Sequence, residues 1–227
     1  MFRLDSGNVY RAQALDDIPW LEHGFGTRLS SKWPDIADLA TVRQVHSDKV
    51  LIADRAGYLG EGDALITNQH GIMLTVRTAD CLPILMADIR NRAIAAVHAG
   101  WRGTLLEIVP KTIEAMGRQF GSRAEDLVIA IGPGIGACCF EVGPEVASQF
   151  SALFPERRDF AQRTKVDLVE TNRRLLRRND GSMGQIATSG LCTHCGATLF
   201  HSYRRDRDAA GRMVSAIGLL PILERRE

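Results

Sequence analysis

Six histidines and five cysteines are spread over 227 residues, and three of them stand where an apolar run meets a polar or glycine-rich segment. His46 lies in Arg43-Gln-Val-His-Ser-Asp48, just ahead of an apolar stretch. His98 ends the run Ala93-Ile-Ala-Ala-Val-His98 and is followed by Ala-Gly-Trp-Arg-Gly103. Cys81 sits at a boundary within Thr78-Ala-Asp-Cys-Leu-Pro83. A side chain at the end of a strand, next to a glycine turn, points from rigid scaffold into a loop-lined cleft. Either histidine alone reads as a satisfied structural residue, and Cys81 changes that balance. Two imidazoles and one thiolate make a three-ligand zinc site with an open fourth position, suited to polarising water or a substrate group. The same residues also make a Cys–His nucleophile pair in which an imidazole lowers the thiol pKa. Their spacings, 35 and 17 residues, form no compact ligand motif. Residue type alone does not separate a thiolate that binds metal from one that attacks carbon.

The other cysteines are Cys138 and Cys139, which are adjacent, and the C-x-x-C of Cys192-Thr-His-Cys195. A C-x-x-C serves redox chemistry or forms half of a zinc site. Gly196 follows where a redox motif would open a helix, and no second C-x-x-C is present, so neither role is expected. Five cysteines, an odd number, do not make a secreted disulfide framework. The run Ile131-Gly-Pro-Gly-Ile-Gly-Ala-Cys-Cys-Phe-Glu-Val-Gly143 offers backbone N–H groups to an anion. It is neither G-x-G-x-x-G nor a P-loop, and tight turns between strands explain it equally well. Near the C-terminus, Phe200-His-Ser-Tyr-Arg-Arg-Asp206 with Gly211-Arg212 clusters donors. There Arg204 or Arg205 can hold a phosphate through a bidentate fork, with surface ion pairs as the competing reading.

The elements that must position these residues follow from hydrophobic pattern. Val/Ile/Leu-rich segments predict strands at Lys49–Ala53, Asp63–Thr67, Ile72–Arg77, Leu82–Ala87, Ala93–His98, Leu127–Ile131 and Met213–Leu219. Several are apolar without alternation, as expected for strands covered on both faces. Helical periodicity marks Thr104–Phe120, with a kink or restart at Pro110, together with Pro144–Phe154 and Asp167–Arg178. No linker, repeat or low-complexity run divides the chain. The expectation is one α+β domain over 1–227 with a mixed sheet.

Composition narrows the classes further. Hydrophobic residues make up 45% and charged residues 24%, which excludes disorder, collagen and coiled coil. The 28 basic residues against 27 acidic ones lack the excess that phosphate-backbone binding demands, so no nucleic-acid partner is expected. No stretch approaches the roughly 18 apolar residues of a membrane helix. Charges interrupt the first twenty residues where a signal peptide would be apolar. A soluble, cytoplasmic protein without a membrane partner is expected.

Taken in order, Arg43-Gln-Val-His46, Gly62-Asp-Ala-Leu-Ile-Thr67, Thr78-Ala-Asp-Cys-Leu-Pro83 and Ala96-Val-His-Ala-Gly-Trp-Arg-Gly103 resemble one known family. So do Ile131-Gly-Pro-Gly-Ile-Gly136, Cys139-Phe-Glu-Val-Gly143, Ser202-Tyr-Arg-Arg-Asp206 and Gly211-Arg212. The family is the YfiH-like one, also called laccase-domain or multicopper polyphenol oxidase proteins, and the resemblance runs from about residue 20 to the C-terminus. Ser47 stands where the family usually has glycine, and Cys195 looks particular to this chain. The resemblance implies a sandwich of mixed β-sheets flanked by helices, related to Cys–His hydrolases. It also implies a His, Cys, His zinc set that falls on His46, Cys81 and His98. The implied activities are purine nucleoside and methylthioadenosine phosphorolysis, adenosine deamination, an older oxidase label, and amide hydrolysis in peptidoglycan-precursor editing.

Chemistry weighs these labels. A multicopper cluster draws on many histidines, largely as His-x-His pairs, whereas this chain has six histidines and no such pair. Copper in the His/Cys/His site remains an alternative loading, since Cu(II) binds such donors more tightly than Zn(II). Deamination needs a carboxylate to carry a proton, for which Asp63 or Asp80 is the expectation. Phosphorolysis needs cationic side chains around phosphate, for which Arg43, Arg102 and Arg204 are the expectation. The implied partners are therefore a small-molecule nucleoside and phosphate. Two rivals stand beside this reading. One is a Cys–His amidase with Cys81 as nucleophile and His98 as base. The other is a non-catalytic, zinc-stabilised binding protein.

Overall fold

The apolar runs become strands of two stacked sheets in the computed structural model, which describes residues 1–36, 38–178 and 183–220. Among these residues one sheet has the order β1 (Phe2–Leu4), β2 (Val9–Ala12), β3 (Leu21–Gly26), β15 (Met213–Leu219), β8 (Met73–Thr78), β4 (Leu39–Arg43) and β6 (Gly57–Glu61). The second has the order β14 (Gln185–Thr188), β11 (Leu127–Ile131), β9 (Leu82–Asp88), β10 (Ala93–Ala99), β7 (Ala64–Thr67) and β5 (Val50–Ile52). A short ribbon pairs β12 (Glu141–Val142) with β13 (Thr164–Lys165). Both sheets are mixed: β4 runs parallel to β6 and β8, β5 to β7 and β11 to β14, while the remaining pairs are antiparallel.

Helices complete the layers. They are α1 (Gln13–Asp16), α2 (Trp101–Leu105), α3 (Ile108–Phe120), α4 (Pro144–Ala147), α5 (Leu168–Arg177) and α6 (Tyr203–Asp206). The period of two along each strand of the second sheet divides its residues between two cores. Leu85, Ala87, Ile94, Ala96, Val128 and Ala130 face the first sheet and meet Phe25, Leu74, Val76 and Ile217. Ile84, Met86, Ala95, Val97, Ile129 and Ile131 face the other way, against Ile108, Ile113 and Met116 of α3 and Leu168 and Leu175 of α5. Every residue of β9 and β10 is therefore buried, which accounts for their lack of alternation.

The α+β class, the mixed sheets and all seven predicted strands are found. The helix boundaries need correction. The predicted Thr104–Phe120 helix is two helices, and the break falls at Glu107, whose φ of 62° is left-handed, rather than at Pro110. Pro110 sits in the first turn of α3, where its missing N–H has no intrahelical acceptor to lose. The predicted Pro144–Phe154 helix is α-helical only to Ala147 and continues as a tighter 3-10 turn through Leu153. Asp167, expected to open its helix, caps α5 by accepting from the Glu170 N–H at 2.9 Å.

Among the described residues, one titratable side chain lies buried in the first sheet. His23 of β3 is buried, its Nε2 accepts the Ala12 N–H at 2.9 Å, and burial lowers its pKa to about 4. The unfolded chain binds the proton near pH 6.5, so the stability attached to the neutral ring is present above that pH and is lost as pH falls toward 4. The difference is at most about 3 kcal/mol. We expect His23→Gln, which keeps an acceptor that does not titrate there, to flatten the fall in urea midpoint between pH 6.5 and 4. An unchanged slope would show that His23 does not control it.

Candidate metal centre and cleft

Three chain segments meet at one end of the sandwich. His46 follows β4 of the first sheet, Cys81 lies between β8 of the first sheet and β9 of the second, and His98 is the next-to-last residue of β10. Their ligand atoms all lie within 4.8 Å of one another. Cys81 Sγ is 3.9 Å from His46 Nε2, and the two imidazoles meet edge to face with centroids 4.9 Å apart. Gly100, two residues after His98, makes the approach possible. A Cβ there would lie 2.9 Å from Cys81 Sγ and 3.0 Å from His46 Cδ2.

Asp63, immediately before β7, holds the group in place. Its fully buried carboxylate accepts His98 Nδ1–H at 2.7 Å, the N–H groups of Val45, His46 and Ser47 at 3.2, 3.0 and 2.7 Å, and the Ser47 hydroxyl at 2.7 Å. The Asp63 carbonyl in turn accepts the His98 N–H at 2.7 Å. His46 takes a left-handed φ of 59° so that its amide can join this set. With Nδ1 of His98 occupied, Nε2 is the ring nitrogen left to act as a ligand, the arrangement in which a carboxylate orients a metal-binding histidine.

The charges follow from that geometry. Burial works against ionised Asp63, but hydrogen bonds from His98 and Ser47 outweigh it and bring its pKa down to about 2. Burial also opposes charge on His98, yet the bonds to Asp63 and Cys81 raise it to about 9. Burial would raise Cys81, and His46 and His98 overcome it to bring the thiol down to about 6. The site therefore stabilises a thiolate at neutral pH, the form that binds metal or acts as a nucleophile. Two imidazoles and a thiolate converging in this way suit zinc.

The cluster opens into a cleft of about 1010 Å³. Trp101, Ile135, Phe140, Leu168 and Tyr203 give it apolar and aromatic walls, and five arginines (Arg77, Arg102, Arg204, Arg207 and Arg212) line it. Asp80 is the one carboxylate among the described lining residues. Its oxygens accept Thr193 Oγ1 at 2.7 Å and the Arg204 N–H at 2.6 Å. The balance is cationic and fits an anionic ligand.

Not every expected residue reaches this cleft. Arg102 and Arg204 line it, with the Arg204 guanidinium anchored on the Glu141 carbonyl at 2.6 Å. Arg43 does not. Val42 and Gln44 face the cleft, and the alternation of an extended strand turns Arg43 away to pair with Glu61 at 2.9 Å. Arg205 is occupied by Asp206 and by the carbonyls of Thr193, His194 and Phe200. The first N–H groups of the glycine-rich run are already taken. The N–H groups of Gly132, Gly134 and Ile135 bond the carbonyls of Pro83, Leu191 and Asp80, and a Cβ at Gly132 would overlap Phe25. Of the other lining arginines, Arg212 belongs to the C-terminal donor cluster expected from sequence, whereas Arg77 in β8 and Arg207 after α6 share no spacing that marks them as a set.

The family model for multi-copper polyphenol oxidoreductase laccases matches residues 27–220. The chain belongs to this YfiH-like family. It is 38% identical over 189 residues to a purine nucleoside phosphorylase of Clostridium acetobutylicum, covering 82% of this chain and 78% of that one. It is 36% identical over 199 residues to adenosine deaminase RL5 of an unknown prokaryote, covering 81% and 76%. The crystal structure of the hypothetical protein YfiH of Bacillus licheniformis superposes with a TM-score of 0.85 at 28% identity, covering 96% of this chain and 98% of that one.

Asp63→Asn removes the charge that holds the His98 proton and an acceptor for the Ser47 donors. In the metal-free protein His98 should then titrate well below pH 9 by NMR. Zinc affinity should fall between about tenfold and a hundredfold. Unchanged titration and affinity would show that Asp63 does not position His98.

Proposed function

We propose that this chain is a zinc-dependent purine nucleoside enzyme that phosphorolyses adenosine, inosine and methylthioadenosine and deaminates adenosine. We read it as one domain over 1–227, acting on nucleoside and phosphate in the cytoplasm. The observation that carries the reading is the convergence of His46, Cys81 and His98 at the base of a cleft with aromatic walls and five arginines. The names of the two relatives above support it. Zinc held by His46, Cys81 and His98 would supply Lewis acidity beside the substrate.

The chain's own residues account for the rest. Arg102 and Arg204 hold phosphate by charge-assisted hydrogen bonds, and Trp101, Phe140 and Tyr203 provide apolar surface for the purine. Held in that geometry, a phosphate oxygen bonds to C1′ of the ribose as the glycosidic bond breaks. The electron pair leaves with the base, which takes up a proton. Proximity and fixed positive charge lower the barrier. In deamination, water oxygen replaces the C6 amino group and ammonia departs. Of the two aspartates, Asp80 faces the cleft and is the proton carrier we assign. Asp63, sealed beneath His98, positions the metal ligands. A multicopper cluster is not proposed, because the histidine-containing ligand group found among the described residues is this single one.

The test is zinc and copper quantification per chain together with incubation with adenosine and inosine, with and without phosphate. About one zinc in this site, with adenine or hypoxanthine released only when phosphate is present, is the expected result. Deamination is followed separately as ammonia release from adenosine. Cys81→Ala should lose this metal and every activity together. A protein inert toward nucleosides overturns the reading. Amide hydrolysis of a cell-wall precursor that resists chelator but is lost on thiol alkylation would instead point to the Cys–His amidase.

The arginines can be separated in the same assay. Arg204→Ala should raise the phosphate KM about tenfold or more, the loss of a hydrogen bond to a charged group. Arg43→Ala should leave it unchanged. Equal effects of the two substitutions would contradict the assignment of Arg204.

A further inference from the structure

The adjacent pair Cys138-Cys139 of the glycine-rich run and the C-x-x-C of Cys192 and Cys195, far apart in the chain and given no role by their sequence pattern, come together in the fold. An isolated parallel bridge joins Gly134 to Cys192, with Thr193 N–H on the Gly134 carbonyl at 2.9 Å. All four sulfurs lie within 4.8 Å of one another. Cys195 Sγ is 3.4 Å from that of Cys139 and 3.8 Å from that of Cys138, and all four thiols are free. The absence of a second C-x-x-C, which argued against a zinc site, is made good in three dimensions by the adjacent pair.

We propose that Cys138, Cys139, Cys192 and Cys195 form a second metal site, a closed tetrahedral zinc centre with four cysteine ligands that clips the 136–140 loop to the 192–196 loop. A zinc–sulfur bond of about 2.3 Å in a tetrahedron places the sulfurs about 3.8 Å apart, the scale on which these four already lie. Both loops turn as thiolate-bearing loops must. The Cys139 N–H bonds the Gly136 carbonyl at 2.9 Å, and the Gly196 N–H bonds that of Cys192 at 3.0 Å. The Gly136 N–H points at Cys192 Sγ at 3.2 Å, a backbone donor for a sulfur carrying negative charge. Four thiolates around a divalent ion leave net negative charge, and two guanidinium groups stand beside it. Arg205 donates to the carbonyls of Thr193 and His194 within the C-x-x-C turn at 3.1 and 2.9 Å, and Arg204 reaches the Cys139 carbonyl at 3.5 Å.

With four protein ligands the ion has no open position, so the centre is structural. Its place in the fold says what it stabilises. Thr193, between the two ligands of the C-x-x-C, holds the carboxylate of Asp80 beside Cys81, and Phe140, next to Cys139, is a wall of the cleft. The clip thus fixes one side of the cleft, including the Thr193 hydroxyl that holds Asp80.

The test is metal content of the full-length chain purified with a thiol reductant and no chelator. We expect about two zinc ions per chain in the wild type, about one in Cys195→Ser and in Cys81→Ala, and none in the double variant. A wild type with one zinc that Cys81→Ala removes and Cys195→Ser keeps would overturn this proposal and leave the first centre standing. A wild type with one zinc that Cys195→Ser removes and Cys81→Ala keeps would do the reverse. Should Cys195→Ser fail to fold, cobalt substitution of the wild type decides. Intense thiolate-to-cobalt absorption from an all-sulfur site is expected, and a spectrum accounted for by a single-thiolate site contradicts it. A disulfide, read as a non-reduced denatured mass about two hydrogens lighter with no second metal, also overturns the proposal, as does iron in place of zinc.

Discussion

The buried carboxylate of Asp63 is the constraint on which the cleft depends. A carboxylate removed from water costs several kcal/mol unless donors replace its hydration, and here a histidine ring, three backbone amides and a hydroxyl do so. The donors come from two places. His98 belongs to β10 of the second sheet, while residues 45–47 follow β4 of the first. Satisfying one charge therefore fixes the end of one sheet against a loop of the other and sets two of the three candidate ligands at the same time. The left-handed backbone of His46 is the local cost, offset by the amide hydrogen bond it allows.

Asp80 does the corresponding work on the opposite side. Its backbone has a φ of 91°, unusual for a residue with a side chain, and its carbonyl accepts the Ile135 N–H at 2.7 Å. Its carboxylate reaches Thr193 and the start of α6. Cys81 thus emerges from a turn held by three separate segments, and its sulfur faces the imidazoles without depending on loop flexibility. Preorganisation of this kind lets a cleft accept an anion without spending binding energy on ordering its own walls.

Much of this was legible in the sequence where the determinant is local. Strands buried on both faces declare themselves as unbroken apolar runs, and β9, β10 and β11 are placed to within a residue or two. Most of the first sheet was not legible: of its strands only β8 and β15 are marked by an apolar run, and the internal β3 and β4 go unmarked along with the edge. β1, β2 and β6 are short and half exposed, and Arg3, Arg11 and Glu61 interrupt their pattern. The three cluster residues stood out because each marks a strand boundary. The side of a strand that an arginine occupies is a matter of parity, and a one-residue shift separates Arg43 from Gln44. The hub role of Asp63 was not legible either, since four of the donors it gathers lie 16 to 18 residues before it and the His98 ring lies 35 after it. Sequence showed a carboxylate near histidines but not whether it meets substrate or protein.

The origin of the three ligands bears on how the metal centre should be understood. Because they arrive from a loop of one sheet, the junction between sheets and a strand of the other, the unfolded chain holds no such site, and an ion bound there stabilises the folded state by mass action. Stability and activity are then linked through the same atoms. On the proposed reading, loss of zinc would loosen the joint between the sheets whether the protein is an enzyme or a binding module, so melting temperature does not separate those two readings. The cleft can distinguish them. A purely structural ion needs four protein ligands, whereas this cluster supplies three and faces a cationic cavity with aromatic walls. An incomplete ligand set at the base of a preformed cleft leaves a coordination position for water or substrate, and it is the physical ground for proposing that this centre is catalytic.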